Sequence, residues 1–144
     1  MLLLCLGFST AHLPAAGDGR IVKVLTHYLD EQGRHALSPS LYDRDAYQAL
    51  LRRNPEKRAA LRFDIQWKSA RRAKELKLRT EVRGTLSTSP VQLETPVSTK
   101  RRFAQWSAVK LEGERYRELG EPVAWRVSLW DGAQIIAEQK SFLW

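Results

Sequence analysis

Beyond Leu61 the chain alternates between apolar and polar side chains with a period of two. "LRFDIQWKS" sets Leu61, Phe63, Ile65 and Trp67 against Arg62, Asp64, Gln66 and Lys68, and "ELKLRTEVR" sets Leu76, Leu78, Thr80 and Val82 against charges. Successive side chains of a strand point to opposite faces, so each segment predicts a strand with one buried face. If the two form a hairpin, like charges directly opposite would destabilise it, and this rule selects one register. That register opposes Lys68 to Glu75, Gln66 to Lys77, Asp64 to Arg79 and Arg62 to Glu81.

The same reading gives the remaining elements. "RIVKVLTHYLD", residues 20 to 30, is rich in β-branched residues and ends at a turn where Gly33 supplies left-handed backbone. "HALSPSL" returns briefly and is broken by Pro39. In "LYDRDAYQALLRR", residues 41 to 53, Leu41, Ala46, Tyr47, Leu50 and Leu51 recur at helical spacing, with Ser40 and Asp43 as caps. Asn54-Pro55 ends that helix and opens a short second turn. "PVQLETPV" and "RFAQWSAVKL" read as strands, the first at a sheet edge because Pro90 and Pro96 bracket it. The C-terminal stretch is a hairpin with Val123, Trp125, Val127 and Leu129 on one face and a bulged turn at Trp130-Asp131-Gly132. That turn sets Leu129 opposite Ala133 and Trp125 opposite Ala137.

Short strands with turn signals between them and one helical insertion near residues 41–58 predict a mainly β fold, an antiparallel β-sandwich. It resembles the immunoglobulin or fibronectin type III arrangement in architecture alone, since no Cys-Trp-Cys spacing accompanies it. With 144 residues and 43% hydrophobic content the chain suits one domain with a real core.

The first seventeen residues carry no charge, and their apolar run from Leu2 to Phe8 is too short to span a bilayer. Small residues at Ala15-Ala16-Gly17 make residues 1–17 a signal peptide, leaving 18–144 as a single β-sandwich domain in an extracytoplasmic, periplasmic or secreted, location. Cys5, the only cysteine, falls inside that segment, so the processed chain forms no disulfide.

Charge is concentrated locally. Residues 57–83 contain ten Lys or Arg against three Asp or Glu, a net of +7 in a chain whose total is +8. The strand pairing above accounts for much of it as a solvent face, but Arg71, Arg72 and Lys74 at the intervening tip have no carboxylate assigned. Lys100, Arg101 and Arg102 form a second basic patch beside Phe103 and Trp106. Such patches attract acidic polymers, envelope components or acidic proteins by long-range electrostatics. Trp106 is read as a core tryptophan, and export disfavours nucleic acid. The alternative is a cytosolic nucleic-acid-binding protein using region 57–83, with Trp106 stacking bases.

Catalytic chemistry finds little support. There is no G-x-S-x-G elbow, no G-x-G-x-x-G and no phosphate loop, and no cofactor is expected. His27 and His35 flank a turn holding Asp30 and Glu31, but no zinc spacing occurs, so both are expected to be solvated. Asp43 and Asp45 are explained by the helix start they occupy. Trp130, Phe142 and Trp144 fall on one outer face of the C-terminal hairpin, where exposed aromatics would bind a sugar or a protein unless the helix at 41–53 covers them. The sequence therefore predicts a non-enzymatic binding or accessory module.

Overall fold

The computed structural model describes residues 19–69, 75–99 and 103–144. The signal-peptide reading at residues 1–17 lies outside them. Seven strands build two antiparallel sheets. One has the order β1 (Gly19–Leu29), β2 (Ala60–Ser69), β5 (Gln105–Glu112). The other has the order β4 (Val91–Pro96), β3 (Leu76–Gly84), β6 (Pro122–Asp131), β7 (Gln134–Lys140). The mainly β expectation holds, and so do the segments read as β1 to β7 and the edge position of β4.

The two sheets share a core because the apolar alternation of each strand turns inward. Phe63, Ile65 and Trp67 of β2 meet Leu78 and Val82 of β3, Val109 and Leu111 of β5, and Val127 and Leu129 of β6. Trp67 places its indole N–H on Ser107 Oγ at 2.9 Å, which satisfies the one polar atom its burial would otherwise strand.

The expected β2–β3 hairpin does not form. β2 pairs with β1 and β5, β3 pairs with β4 and β6, and the two lie in different sheets. Alternation fixes which residues face outward, but not which strand lies alongside. The charges find other partners: Arg79 donates to Glu94 on β4 at 2.8 Å, Arg126 on β6 donates to Glu81 at 2.7 Å, and Asp64 takes Arg62 of its own strand at 2.7 Å.

The C-terminal hairpin forms in a different register. Leu129 faces Ala137, Trp130 faces Ile135 and Asp131 faces Gln134, with a bulge between the first two pairs and Gly132 at φ +57°. Trp125 instead lies beside Ser141, whose backbone N–H reaches the Trp125 carbonyl at 2.9 Å. The turn is pinned by β3: Glu75 N–H donates to Asp131 Oδ1 at 3.0 Å and Gly132 N–H to the Glu75 carbonyl at 2.9 Å. A second bulge, between Arg83 and Gly84, takes Val123 out of the expected inward row and leaves it 47% exposed.

Helix α1 (Leu41–Arg53) begins where Ser40 Oγ accepts the Asp43 N–H. It ends where the Asn54 side chain donates to the Leu50 carbonyl at 2.7 Å, and a 3₁₀ turn follows at Pro55–Lys57. Its buried side centres on Gln48 and Leu51, whereas Leu41 is exposed. Gln48 accepts from the Tyr28 N–H at 2.9 Å and donates to the Tyr28 and His35 carbonyls at 3.0 and 2.8 Å. One amide side chain thus occupies the open edge of β1, where unpaired backbone groups would invite another strand. The predicted brief return at "HALSPSL" contains no strand. A short helix, α2 (Gly113–Leu119), joins β5 to β6 and has no counterpart in the sequence reading. No helix among the described residues is long and apolar enough to cross a membrane.

Candidate functional site

The three-stranded sheet presents its outward residues in rows across β1, β2 and β5. His27, Arg62 and Lys110 form one row, Leu25, Asp64 and Ala108 the next, then Lys23, Gln66 and Trp106, and finally Arg20 with Lys68. The rows differ sharply in how their charges are met. At the first end Arg62 binds Asp64 at 2.7 Å, His27 Nδ1 lies 3.3 Å from the same carboxylate, and Lys110 lies 3.8 Å from Glu112. At the other end Arg20, Lys23 and Lys68 have no ion-pair partner among the described residues, and their two rows contain no carboxylate.

Arg20 and Lys68 are direct cross-strand partners. Like charges in that position repel, and here no acidic side chain of the two rows offsets the repulsion. A bulge between Ile21 and Lys23 adds one residue to β1, leaving Val22 40% exposed and restoring Lys23 to the outer face. Beside these cations stands Trp106, 52% exposed on the sheet's edge strand, with Phe103 79% exposed just before it. The core reading of Trp106 is therefore corrected. β5 alternates with Ser107, Val109 and Leu111 inward, so Trp106 falls on the outer phase opposite Gln66.

The basic residues singled out from sequence, Arg71, Arg72, Lys74, Lys100, Arg101 and Arg102, lie outside the described residues. The described residues that flank them do converge. Ser69, which precedes the first group, pairs with Gly19, while Trp67 pairs with Gln105, which follows the second. Those flanking residues lie at the end of the sheet that carries Arg20, Lys68 and Trp106. Sequence reasoning missed Arg20, Lys23 and Gln66, and it assigned Lys68 to a strand that is not its neighbour. The bulge breaks the β1 alternation that would have grouped Arg20 with Lys23.

His27 is not solvated as expected, whereas His35 is only half-buried. His27 is 8% exposed, and the two imidazole centroids lie 5.2 Å apart. Burial lowers the His27 pKa below its ordinary value, with Asp64 pulling the other way, so the ring is chiefly neutral at neutral pH. Asp30 is committed to its turn. Burial pushes its pKa up, but the Tyr47 hydroxyl, the Arg34 backbone N–H and the Arg34 guanidinium overcome that and hold it at about 2. Among the described residues no group of three His, Cys, Asp or Glu is placed to hold a metal. Asp43 accepts from the Ser38 hydroxyl and Asp45 from Arg44, which accounts for both at the helix start.

The outer face of the four-stranded sheet carries tryptophans too, but there Lys77, Arg79 and Arg126 are paired with carboxylates, whereas Arg83 and Lys140 have no ion-pair partner among the described residues. The Arg79 guanidinium lies 4.2 Å from the Trp130 ring centre and pairs with Glu94. Arg83 and Arg126 lie 4.2 and 4.9 Å from the Trp144 ring centre, and Arg126 pairs with Glu81. Helix α1 does not supply the cover that the sequence suggested: it packs against β1, and arginines lie over the rings instead. Phe142 is fully exposed. Neither protein-family models nor curated proteins give a match to this sequence.

Proposed function

We propose that this domain is a non-enzymatic binding module that grips an acidic polymer, such as a polyanionic envelope component, across the basic and aromatic end of its three-stranded sheet. The observation that carries the reading is the pair of rows formed by Arg20, Lys23, Gln66, Lys68 and Trp106, three cations without a described counter-ion beside an exposed ring. A polyanion laid across them would relieve the Arg20–Lys68 repulsion and release its own counter-ions. The basic residues read from the sequence, Arg71, Arg72 and Lys74 with Lys100, Arg101 and Arg102, belong to the same proposal and lie outside the described residues. An extracytoplasmic location is part of the proposal, supported by the uncharged segment ending at Ala15-Ala16-Gly17.

The fold reading that goes with it is a β-sandwich of the immunoglobulin or fibronectin type III kind. Its support is the strand order, in which β1-β2-β5 follows A-B-E and β4-β3-β6-β7 follows C′-C-F-G.

The test is retention on immobilised heparin as a function of salt. The combined reversal Arg20→Glu, Lys23→Glu and Lys68→Glu should lower the eluting salt concentration and flatten the salt dependence by about one unit of slope per lost contact. Unchanged retention would reject this face. The exposed Trp106 also favours a second reading, a cytosolic binder of single-stranded nucleic acid, because bases stack on such rings. Under that reading Trp106→Ala weakens binding to a single-stranded oligonucleotide by about tenfold or more while leaving retention on inorganic polyphosphate unchanged.

A further inference from the structure

On the other side of the three-stranded sheet, the two sheets do not close along their whole length. At Gly19 they approach so nearly that an added Cβ would lie 3.0 Å from Ile136. Toward the C-terminal half of β1 they diverge around a cleft of about 250 Å³. Thr26 records the divergence. It pairs with Phe63 on the inward phase of the sheet, yet it is exposed.

The walls are aromatic and aliphatic: Tyr28 and Phe63 from one sheet, Val82 and Trp125 from the other, with Trp125 meeting Phe63 edge to face at 6.4 Å between centroids. The polar part of the lining is Thr26 of β1, Gln48 and Arg52 of α1, and Ser141. The Gln48 amide is already used on both sides by Tyr28 and His35. Arg52 is different. Its side chain is exposed, has no ion-pair partner among the described residues, and faces a lining that contains no carboxylate. The neighbouring Arg58 does not share the task, because both oxygens of Glu121 hold it at 2.8 Å.

We infer that this cleft is a binding site for a small monocyclic aromatic carboxylate, its ring between the Tyr28 and Trp125 walls and its carboxylate on the Arg52 guanidinium. A closed cavity of about 150 Å³ holds benzene, so the larger cleft has room for a ring and one substituent. A planar guanidinium is suited to bind a carboxylate through two parallel hydrogen bonds. The site is separate from the basic face and does not depend on it.

The probes are benzoate and its neutral counterpart benzamide, titrated into the protein by calorimetry and by ligand-observed NMR. Benzoate should bind saturably with a dissociation constant of about 1 mM or tighter, an ordinary affinity for so few atoms. Benzamide should bind about tenfold more weakly. Arg52→Gln should erase that difference, and Thr26→Phe, which puts a ring into the cleft, should abolish both without lowering the melting temperature. The triple reversal of Arg20, Lys23 and Lys68 should leave benzoate binding unchanged. Absence of saturable benzoate binding up to about 20 mM, or binding that survives Thr26→Phe, overturns the assignment. Equal preference for benzoate in the parent and in Arg52→Gln removes Arg52 from it.

Discussion

Arg58 joins three parts of the molecule that the sheets alone leave separate, and replacing it with alanine should destabilise the fold by about 4 kcal/mol. Its side chain is only 4% exposed. It donates to the Leu51 and Arg52 carbonyls in the last turn of α1, which have no helical partner of their own. It also donates to both oxygens of Glu121 and lies 4.2 Å from the Tyr28 ring centre. Each charged hydrogen bond to the helix end contributes about 1.5 to 3 kcal/mol net, and a largely desolvated cation over an aromatic ring adds about 1 to 2. Glu121 is 54% exposed and regains water when its partner is lost, so its share is below about 1 kcal/mol. With allowance for water entering the vacated space, about 4 kcal/mol remains. Urea unfolding reads this directly: at about 2 kcal/mol per molar, the midpoint should fall by about 2 M with the slope unchanged. Arg58→Lys keeps the charge but not the fork and should lose about half as much, whereas Glu121→Gln should lose less than about 1 kcal/mol. A loss below about 1 kcal/mol for Arg58→Ala would refute the reasoning, since the helix end would then have been satisfied by solvent.

Three further changes probe other parts of the scaffold. Gly84→Ala should cost about 3 kcal/mol by the same unfolding measurement, because the added Cβ would lie 2.1 Å from the Leu119 carbonyl oxygen, and backbone cannot turn aside as a side chain can. Thr80→Val should raise stability by about 1 kcal/mol, since Thr80 Oγ1 is buried with no hydrogen-bond partner among the described residues and valine keeps the shape while removing the desolvated hydroxyl. Asp30 has a folded pKa of about 2 against an ordinary 3.8, so its contribution is complete above about pH 4 and is lost as pH falls toward 2. Acid titration of Asp30→Asn, followed by circular dichroism, should show that part of the pH dependence removed.

Much of the scaffold is legible in the sequence because it rests on local rules. Alternation located β2, β3, β5 and β6, the Ser40 and Asn54 caps bounded α1, and Pro90 with Pro96 marked β4 as an edge. Pairing is another matter. Arg62, Asp64, Arg79 and Glu81 satisfy a charge rule in a β2–β3 register that the chain does not adopt, because Glu94 and Arg126 satisfy Arg79 and Glu81 equally well from other strands. Contacts of high sequence separation carry no local mark. The same limit hid the face of the candidate site, where residues 20, 23, 66, 68 and 106 meet only once β1, β2 and β5 are aligned. Trp106 was misassigned because composition makes burial the default for tryptophan, whereas here the phase of its strand decides.

The two outer faces of the domain make a controlled comparison. Both carry a tryptophan among arginines and lysines, and both are built from strands of alternating sequence. On the four-stranded sheet Arg79 and Lys77 share Glu94, Arg126 is held by Glu81 with Glu138 at 3.8 Å, and the guanidinium groups lie over Trp130 and Trp144. An anion drawn to Lys77, Arg79 or Arg126 would have to compete with carboxylates already in place, which offsets most of its attraction to them. On the three-stranded sheet Arg20, Lys23 and Lys68 offer charge with no such competitor among the described residues, and the ring of Trp106 stands open beside them. Positive charge alone therefore does not distinguish the faces; the carboxylates on Lys77, Arg79 and Arg126 and the arginines over both tryptophan rings do, although Arg83 and Lys140 have no ion pair among the described residues. Reversing Arg79 and Arg126 should accordingly disturb stability more than polyanion retention, while reversing Arg20, Lys23 and Lys68 should do the opposite.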